Sequence, residues 1–131
     1  ASGAGLAGLV IAILTDARID LVEPRRLRTD FLSGVATKVG LDNVKVSTAK
    51  IENTSGICDV ITARAVANLD RLLRITRHRA GPSTIWLLPK GRNAQSEVEE
   101  AKRSWQGSFH VEPSITAPDS LIVIARGVRP K

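Results

Sequence analysis

The sequence predicts an α/β fold, a mostly parallel sheet flanked by helices and closed by an antiparallel hairpin. Three observations predict it. Short apolar runs alternate with helical patterns in the order α-β-α-β-β-α-β-α-β-β, and such alternation builds parallel sheets with crossover helices. The strand candidates are short and almost continuously apolar, as in strands covered on both faces. The last two candidates, 108–115 and 120–126, are joined only by Thr116-Ala-Pro-Asp119. A connection that short demands antiparallel pairing.

Each element has its own signal. Residues 1–8 read Ala1-Ser-Gly-Ala-Gly-Leu-Ala-Gly8, a G-x-G-x-x-G turn that opens a buried helix over 9–14. A glycine-rich turn at a helix start aims backbone N–H groups outward, the arrangement of a nucleotide-type site; taken alone, the stretch reads equally as an ordinary tight turn. An apolar strand over 19–23 ends in Glu23. Pro24 opens the next helix at its first turn. In it Leu27, Phe31, Leu32, Val35 and Val39 form one buried stripe, with Arg25, Arg26, Arg28 and Lys38 mostly off it and Gly40 as its terminator. Strands follow at 44–47 and 58–62, separated by a loop over 48–57. Asn68 caps a helix whose inner face is Leu69, Leu72, Leu73 and Thr76. Arg71, Arg74, Arg77 and Arg79 form its outer face, and Gly81-Pro82 ends it. A buried strand over 84–88, a loop over 89–92 and a polar helix over 94–105 precede the hairpin.

Composition narrows the functional classes. At 131 residues, 43% of them hydrophobic, the chain reads as one domain over 1–131 with a core of its own. It has no apolar run of about 18 residues, so no transmembrane helix is expected. The glycines at 3, 5 and 8 and the lack of a basic flank set the first stretch apart from a signal peptide. A single cysteine, Cys58, forms no internal disulfide and fits a reducing cytoplasm. His78 and His110 stand apart, and no Cys/His cluster has metal-site spacing. The net charge of +6 suggests either an anionic partner, nucleic acid rather than membrane since no basic amphipathic helix carries an aromatic face, or a basic domain with no such partner. Aromatic residues are only 3%, too few for a wide base-stacking platform.

Ligands of open α/β sheets bind beyond the carboxyl ends of the strands. The polar residues expected there are the glycine turn, Glu23, Glu52 beside Ile51, Arg64 in Thr62-Ala-Arg-Ala-Val-Ala67, and Lys90 and Arg92. Glu23 lies 20 residues after Gly3, the spacing at which an acid grips ribose hydroxyls; it could equally serve a helix dipole. Glu52 reads as an adenosine-pocket acid or a solvated loop acid. Arg64 reads as a cofactor contact or a structural ion pair. Arg25, Arg26 and Arg28 form either a phosphate-binding set or a solvated helix face.

The pattern as a whole resembles the bacterial small-subunit rRNA guanine-N7 methyltransferases, the glucose-inhibited division protein B family. The matching pieces are Ser2-Gly-Ala-Gly-Leu-Ala-Gly8, Leu21-Val-Glu-Pro-Arg-Arg-Leu-Arg28 with Phe31-Leu32, Gly40-Leu-Asp-Asn-Val44, Ala49-Lys-Ile-Glu52, Asp59-Val-Ile-Thr-Ala-Arg-Ala-Val-Ala67 with Leu69-Asp70, and Lys90-Gly91. The resemblance implies a class I, Rossmann-like fold and S-adenosylmethionine as cofactor. It implies cofactor contacts at Ala1, Gly3, Gly5, Leu6, Ile51, Glu52 and Arg64, with Glu23 on the ribose. It also implies a substrate, the N7 of one guanine in small-subunit rRNA, free or in the assembling subunit. The family reads Asp-Val/Ile-Gly before Ser-Gly, whereas here Ala1 stands in the glycine's place and Ala7 in that of a usual proline. That departure implies a piece of a longer protein, with the first strand and an N-terminal extension outside it.

Guanine N7 carries a lone pair already, so no catalytic general base is expected, which agrees with the lack of a nucleophile–base pair or metal site. Arg25, Arg26, Arg28, Lys90 and Arg92 are then expected mainly on phosphates. The expected protein is a cytoplasmic monomer with no membrane or metal partner. Two alternatives share the same residues: an NAD(P)-dependent oxidoreductase, and a non-catalytic RNA-binding domain.

Overall fold

Parallel strand pairs organise both halves of the chain. The computed structural model describes residues 2–63, 68–113 and 120–131; Ala1, Arg64 and the 116–119 connection lie outside them. The elements are α1 (Ser2–Leu14), β1 (Ile19–Glu23), α2 (Arg26–Val39), β2 (Val44–Thr48), a 3₁₀ turn (Ile51–Asn53), β3 (Cys58–Thr62), α3 (Leu69–Thr76), a second 3₁₀ turn (Arg77–Arg79), β4 (Ala80–Lys90), α4 (Ala94–Ala101), β5 (Trp105–Pro113) and β6 (Leu121–Pro130). They divide into two compact units, Ala1–Thr54 and Ser55–Lys131.

In the first unit β1 and β2 pair in parallel, from Ile19 opposite Val44 to Glu23 opposite Thr48. Parallel strands need a crossover connection, and α2 supplies it. Ile19, Leu21, Val44 and Val46 present one apolar face, which packs with Leu9, Leu32 and Ala36. Gly40 ends α2 at φ 78°, a conformation open to glycine, and the Leu41 amide donates back to Ala36 O at 2.9 Å. Asn43 finishes α1: its Nδ2 donates to the carbonyls of Ala12 (3.1 Å), Thr15 (3.2 Å) and Ala17 (2.9 Å).

In the second unit the strand order is β3-β4-β6-β5. β3 and β4 are parallel, and β6 runs antiparallel to both β4 and β5. Trp86, Leu88, Val123 and Ala125 form the core face of this sheet. They pack with Leu69, Leu72 and Leu73 of α3, with Ala94, Val98 and Ala101 of α4, and with Trp105. The buried Trp86 indole donates to Thr76 Oγ1 at 3.0 Å, so its polar atom is satisfied inside the core.

The element order is as the sequence predicts, and the strands 19–23 and 58–62 keep their predicted bounds. Several local expectations are corrected. The glycine turn is helix: α1 runs from Ser2, because Ala4, Leu6 and Ala7 favour helix enough to carry Gly3 and Gly5, at about 1 kcal/mol per glycine. Pro24 precedes α2 rather than opening it, since Arg25 is extended (φ −92°, ψ 116°) and α2 starts after it. The buried residues of α2 are Thr29, Leu32 and Ala36. Leu27, Phe31 and Val39 are exposed, because Thr29 Oγ1 bonds Thr48 Oγ1 at 2.8 Å and turns the 29/32/36 face to β2.

Gly81-Pro82 does not end α3, which stops at Thr76. It lies inside β4, where Thr84 Oγ1 donates to Cys58 O and accepts the Gly81 amide. Lys90 likewise ends β4 rather than sitting in a loop. The last helix stops at Ala101, and Trp105 opens β5 instead of closing α4. Arg79 leaves the basic face: it is buried, and its Nε donates to Gly56 O.

Replacing Asn43 by alanine removes the donors from three carbonyls in and just beyond the last turn of α1. The expected cost is about 1–2 kcal/mol, read as a lower midpoint in urea unfolding with the slope unchanged.

Candidate functional site

Of the residues marked out by the sequence, Glu23 and Lys90 end parallel strands, and Ile51, Glu52 and Arg92 follow such strands, separately in each unit. In the first unit Glu23 is the last residue of β1 and is 3% exposed. Its Oε1 accepts the Arg25 amide at 3.3 Å, and its carbonyl accepts the Ala49 amide at 3.1 Å. Burial alone would raise the Glu23 carboxyl. The Arg25 amide and the Arg28 guanidinium act against that, each lowering it. In its ionised form Glu23 offers only acceptors, as a grip on two hydroxyls requires.

Ile51 and Glu52 form the 3₁₀ turn that follows β2, Ile51 half-buried and Glu52 exposed. Gly3, Gly5 and Leu6 lie in the first turns of α1. The third glycine of the motif has a visible steric role. A Cβ on Gly8 would stand 2.5 Å from Leu21 Cδ2 and 3.5 Å from Ile19 Cγ2. Glycine at this position lets the helix lie close against the strand, the duty of the last glycine in dinucleotide-type fingerprints. Arg25 and Arg26 are exposed and Arg28 is half-buried, all at the start of α2; Arg26 pairs with Asp30 at 3.3 Å.

In the second unit Thr62 ends β3, Lys90 ends β4, and Asn68 caps α3 by accepting the Arg71 amide at 2.9 Å. Arg92 is exposed just after β4. Lys90 differs from the expectation. Its side chain is 7% exposed, and its ammonium lies 3.2 Å from Glu97 Oε1. An ammonium so engaged is a structural cation rather than a surface contact for a phosphate. Glu97 itself carries no sequence motif. Its only signal was its place in the first turn of the helix after Lys90-Gly91. Among the described residues no group of His, Cys, Asp and Glu could hold a metal, and no helix is long and apolar enough to cross a membrane.

The family model described as rRNA small subunit methyltransferase G matches residues 1–120. The chain belongs to that family. A curated relative of that name from Rhizorhabdus wittichii is 47% identical over 133 residues, covering 99% of this chain and 61% of its own length. The chain thus spans about three-fifths of that relative. Solved structures share the fold. A 16S rRNA adenine-N1 methyltransferase from Catenulisporales acidiphilia is similar at TM-score 0.72 and 16% identity, over 99% of this chain and 84% of that one. A variant of MtNAS in complex with S-adenosylmethionine is similar at TM-score 0.67 and 17% identity, over 92% of this chain and 50% of that one. The fold is that of the class I S-adenosylmethionine-dependent methyltransferases. Its mostly parallel, Rossmann-like pattern with antiparallel strands at the end is the one the alternation of elements predicts.

Gly8→Val tests the packing that sets the first unit's site. The added side chain must displace Leu21, itself in the core, so stability falls by about 1–3 kcal/mol. Gly34→Ala, where a Cβ would meet nothing within 4 Å, leaves thermal unfolding unchanged or raises its midpoint.

Proposed function

We propose that the protein containing this chain transfers a methyl group from S-adenosylmethionine to N7 of a guanine in small-subunit rRNA. Family membership supports the reaction class. The observation that carries the cofactor reading is Glu23, a buried carboxylate at the end of β1, beside a helix brought close by Gly8. These residues fit the cofactor's nucleoside: Glu23 would accept from the two ribose hydroxyls, Ile51 would line the base, and Glu52 would face its polar edge. Arg64, outside the described residues, is proposed as a further cofactor contact. The glycines at 3 and 5 and Leu6 would approach the cofactor through the start of α1, with Ala1 before them.

When bound, S-adenosylmethionine supplies an electrophilic methyl group on a sulfonium. The guanine acceptor uses a lone pair it already has, so the chain's residues need hold no proton in transit. Their work is positioning and electrostatics. Arg25, Arg26, Arg28 and Arg92 would neutralise rRNA phosphates and orient the target. Lys90, paired with Glu97, contributes from inside the fold. A salt-sensitive hold on the backbone together with a single cofactor pocket distinguishes this reading from an oxidoreductase, which would need a substrate acid or base, and from a bare RNA-binding domain.

The test is transfer of labelled methyl onto small-subunit rRNA and onto assembled subunits, by this chain and by an amino-terminally extended version. Label on guanine N7 is expected. S-adenosylhomocysteine is expected to bind and NAD not to. RNA affinity should fall with salt at a log–log slope of about −3, as four arginine–phosphate contacts imply. NAD binding without S-adenosylhomocysteine binding, or RNA affinity independent of salt, contradicts the proposal.

A further inference from the structure

The basic excess of the chain lies in its second unit. Residues 55–131 hold 12 Lys and Arg against seven Asp and Glu, whereas residues 1–54 hold seven against six. Within the second unit the cations concentrate on α3 and the 3₁₀ turn after it. Residues 69–79 contain Arg71, Arg74, Arg77, His78 and Arg79, and Asp70 is the one acid among them. Leu69, Leu72, Leu73 and Thr76 fill the inner face of α3. Arg71 and Arg74 are neighbours on its outer face, and both are exposed. Arg79 points elsewhere, to Gly56 O.

Helix stability does not explain the pair. Arg71 lies in the first turn of α3, where the macrodipole disfavours a cation. Among the described residues no carboxylate forms an ion pair with it, and two like charges this close on a helix repel. Arg74 is held in place by Asp70, whose Oδ2 accepts its Nη2 at 2.8 Å while Oδ1 accepts the Trp105 indole N–H at 2.9 Å. Trp105 is buried, so the carboxylate is anchored to the core and orients the guanidinium. The Arg74 side chain is still 65% exposed, leaving the rest of its N–H fork for a further acceptor. A guanidinium oriented in advance loses less freedom on binding, and its planar fork suits phosphate oxygens. No exposed large apolar side chain lies on α3. The face therefore lacks the anchor of a protein interface and the apolar edge that a membrane-lying helix needs. We infer that the outer face of α3 is a further binding surface for the phosphate backbone of rRNA, with Arg71 and Arg74 as its contacts. This rests on the reading that rRNA is the substrate, and it adds to the contacts proposed for Arg25, Arg26, Arg28 and Arg92.

The experiment measures the affinity of the chain for a fragment of small-subunit rRNA by fluorescence anisotropy over a range of salt, with thermal unfolding in parallel. It compares wild type, the double variant Arg71→Gln with Arg74→Gln, the double variant Arg71→Lys with Arg74→Lys, and the double variant Arg25→Gln with Arg26→Gln. The α3 glutamine variant is expected to unfold as the wild type does, because glutamine is as good a helix former as arginine. It is expected to bind RNA about tenfold more weakly, with a salt slope shallower by about 1.5, as the loss of two phosphate contacts implies. The lysine variant keeps the charges and is expected to keep the salt slope. With α3 engaged, the wild-type slope is steeper than the value of about −3 expected from the other four arginines alone. Wild-type affinity and slope in the α3 glutamine variant, with RNA binding lost in the Arg25→Gln, Arg26→Gln variant, overturn the inference and leave the rRNA reading standing. A loss confined to polyglutamate or to phosphatidylglycerol vesicles, with RNA binding intact, assigns the face to another partner and overturns it as well. Salt-independent RNA affinity in the wild type overturns the rRNA reading and the inference with it.

Discussion

Two parallel strand pairs, β1 with β2 and β3 with β4, cannot be closed by tight turns. Each pair therefore requires a crossover helix, α2 in the first unit and α3 in the second, and each sends its following segments out at one carboxyl edge. That constraint places Glu23 and the Ile51–Asn53 turn at one such edge, and Lys90 and the start of α3 at the other. The chemistry-bearing residues are brought to these edges by connectivity, before any side chain contact selects them. Helix-to-strand packing then sets how closely α1 lies on β1, through the missing Cβ of Gly8.

Electrostatics refine the positions. Glu23 is buried, and the Arg25 amide and the Arg28 guanidinium offset part of the cost of its desolvation. Lys90 is shielded but keeps a carboxylate within an ion-pair distance. In both cases a buried charge is tolerated because the partner comes from an adjacent segment, and the pairing fixes that segment. Arg25, Arg26 and Arg92, by contrast, remain exposed at the surface.

Element order, parallel pairing as such and the final antiparallel pair were legible because periodicity, caps and connection length are local signals. Asn68 and Gly40 cap their helices as read. Glu23 was legible from its spacing, and its burial agrees with a site residue. What escaped the sequence depended on tertiary partners. The inner face of α2 is chosen by a hydrogen bond between Thr29 and Thr48, residues 19 apart, which an apolar-stripe argument does not contain. Gly81-Pro82 looks like punctuation but joins β4, because Thr84 supplies the bonds that the strand end requires. Lys90 read as a surface cation because its partner, Glu97, sits on another element. The G-x-G-x-x-G motif was legible as a motif and misread as a turn, its last glycine serving helix–strand contact.

On the proposed reading, S-adenosylmethionine is gripped at the carboxyl edge of β1 and β2. Peptide-level hydrogen exchange with and without S-adenosylhomocysteine tests this, because protection reports local opening. Slower exchange on ligand binding is expected in the segments after β1 and after β2, with β5 and β6 unchanged. Protection confined to β5 and β6 or to the amino ends of β1 and β2 would contradict it.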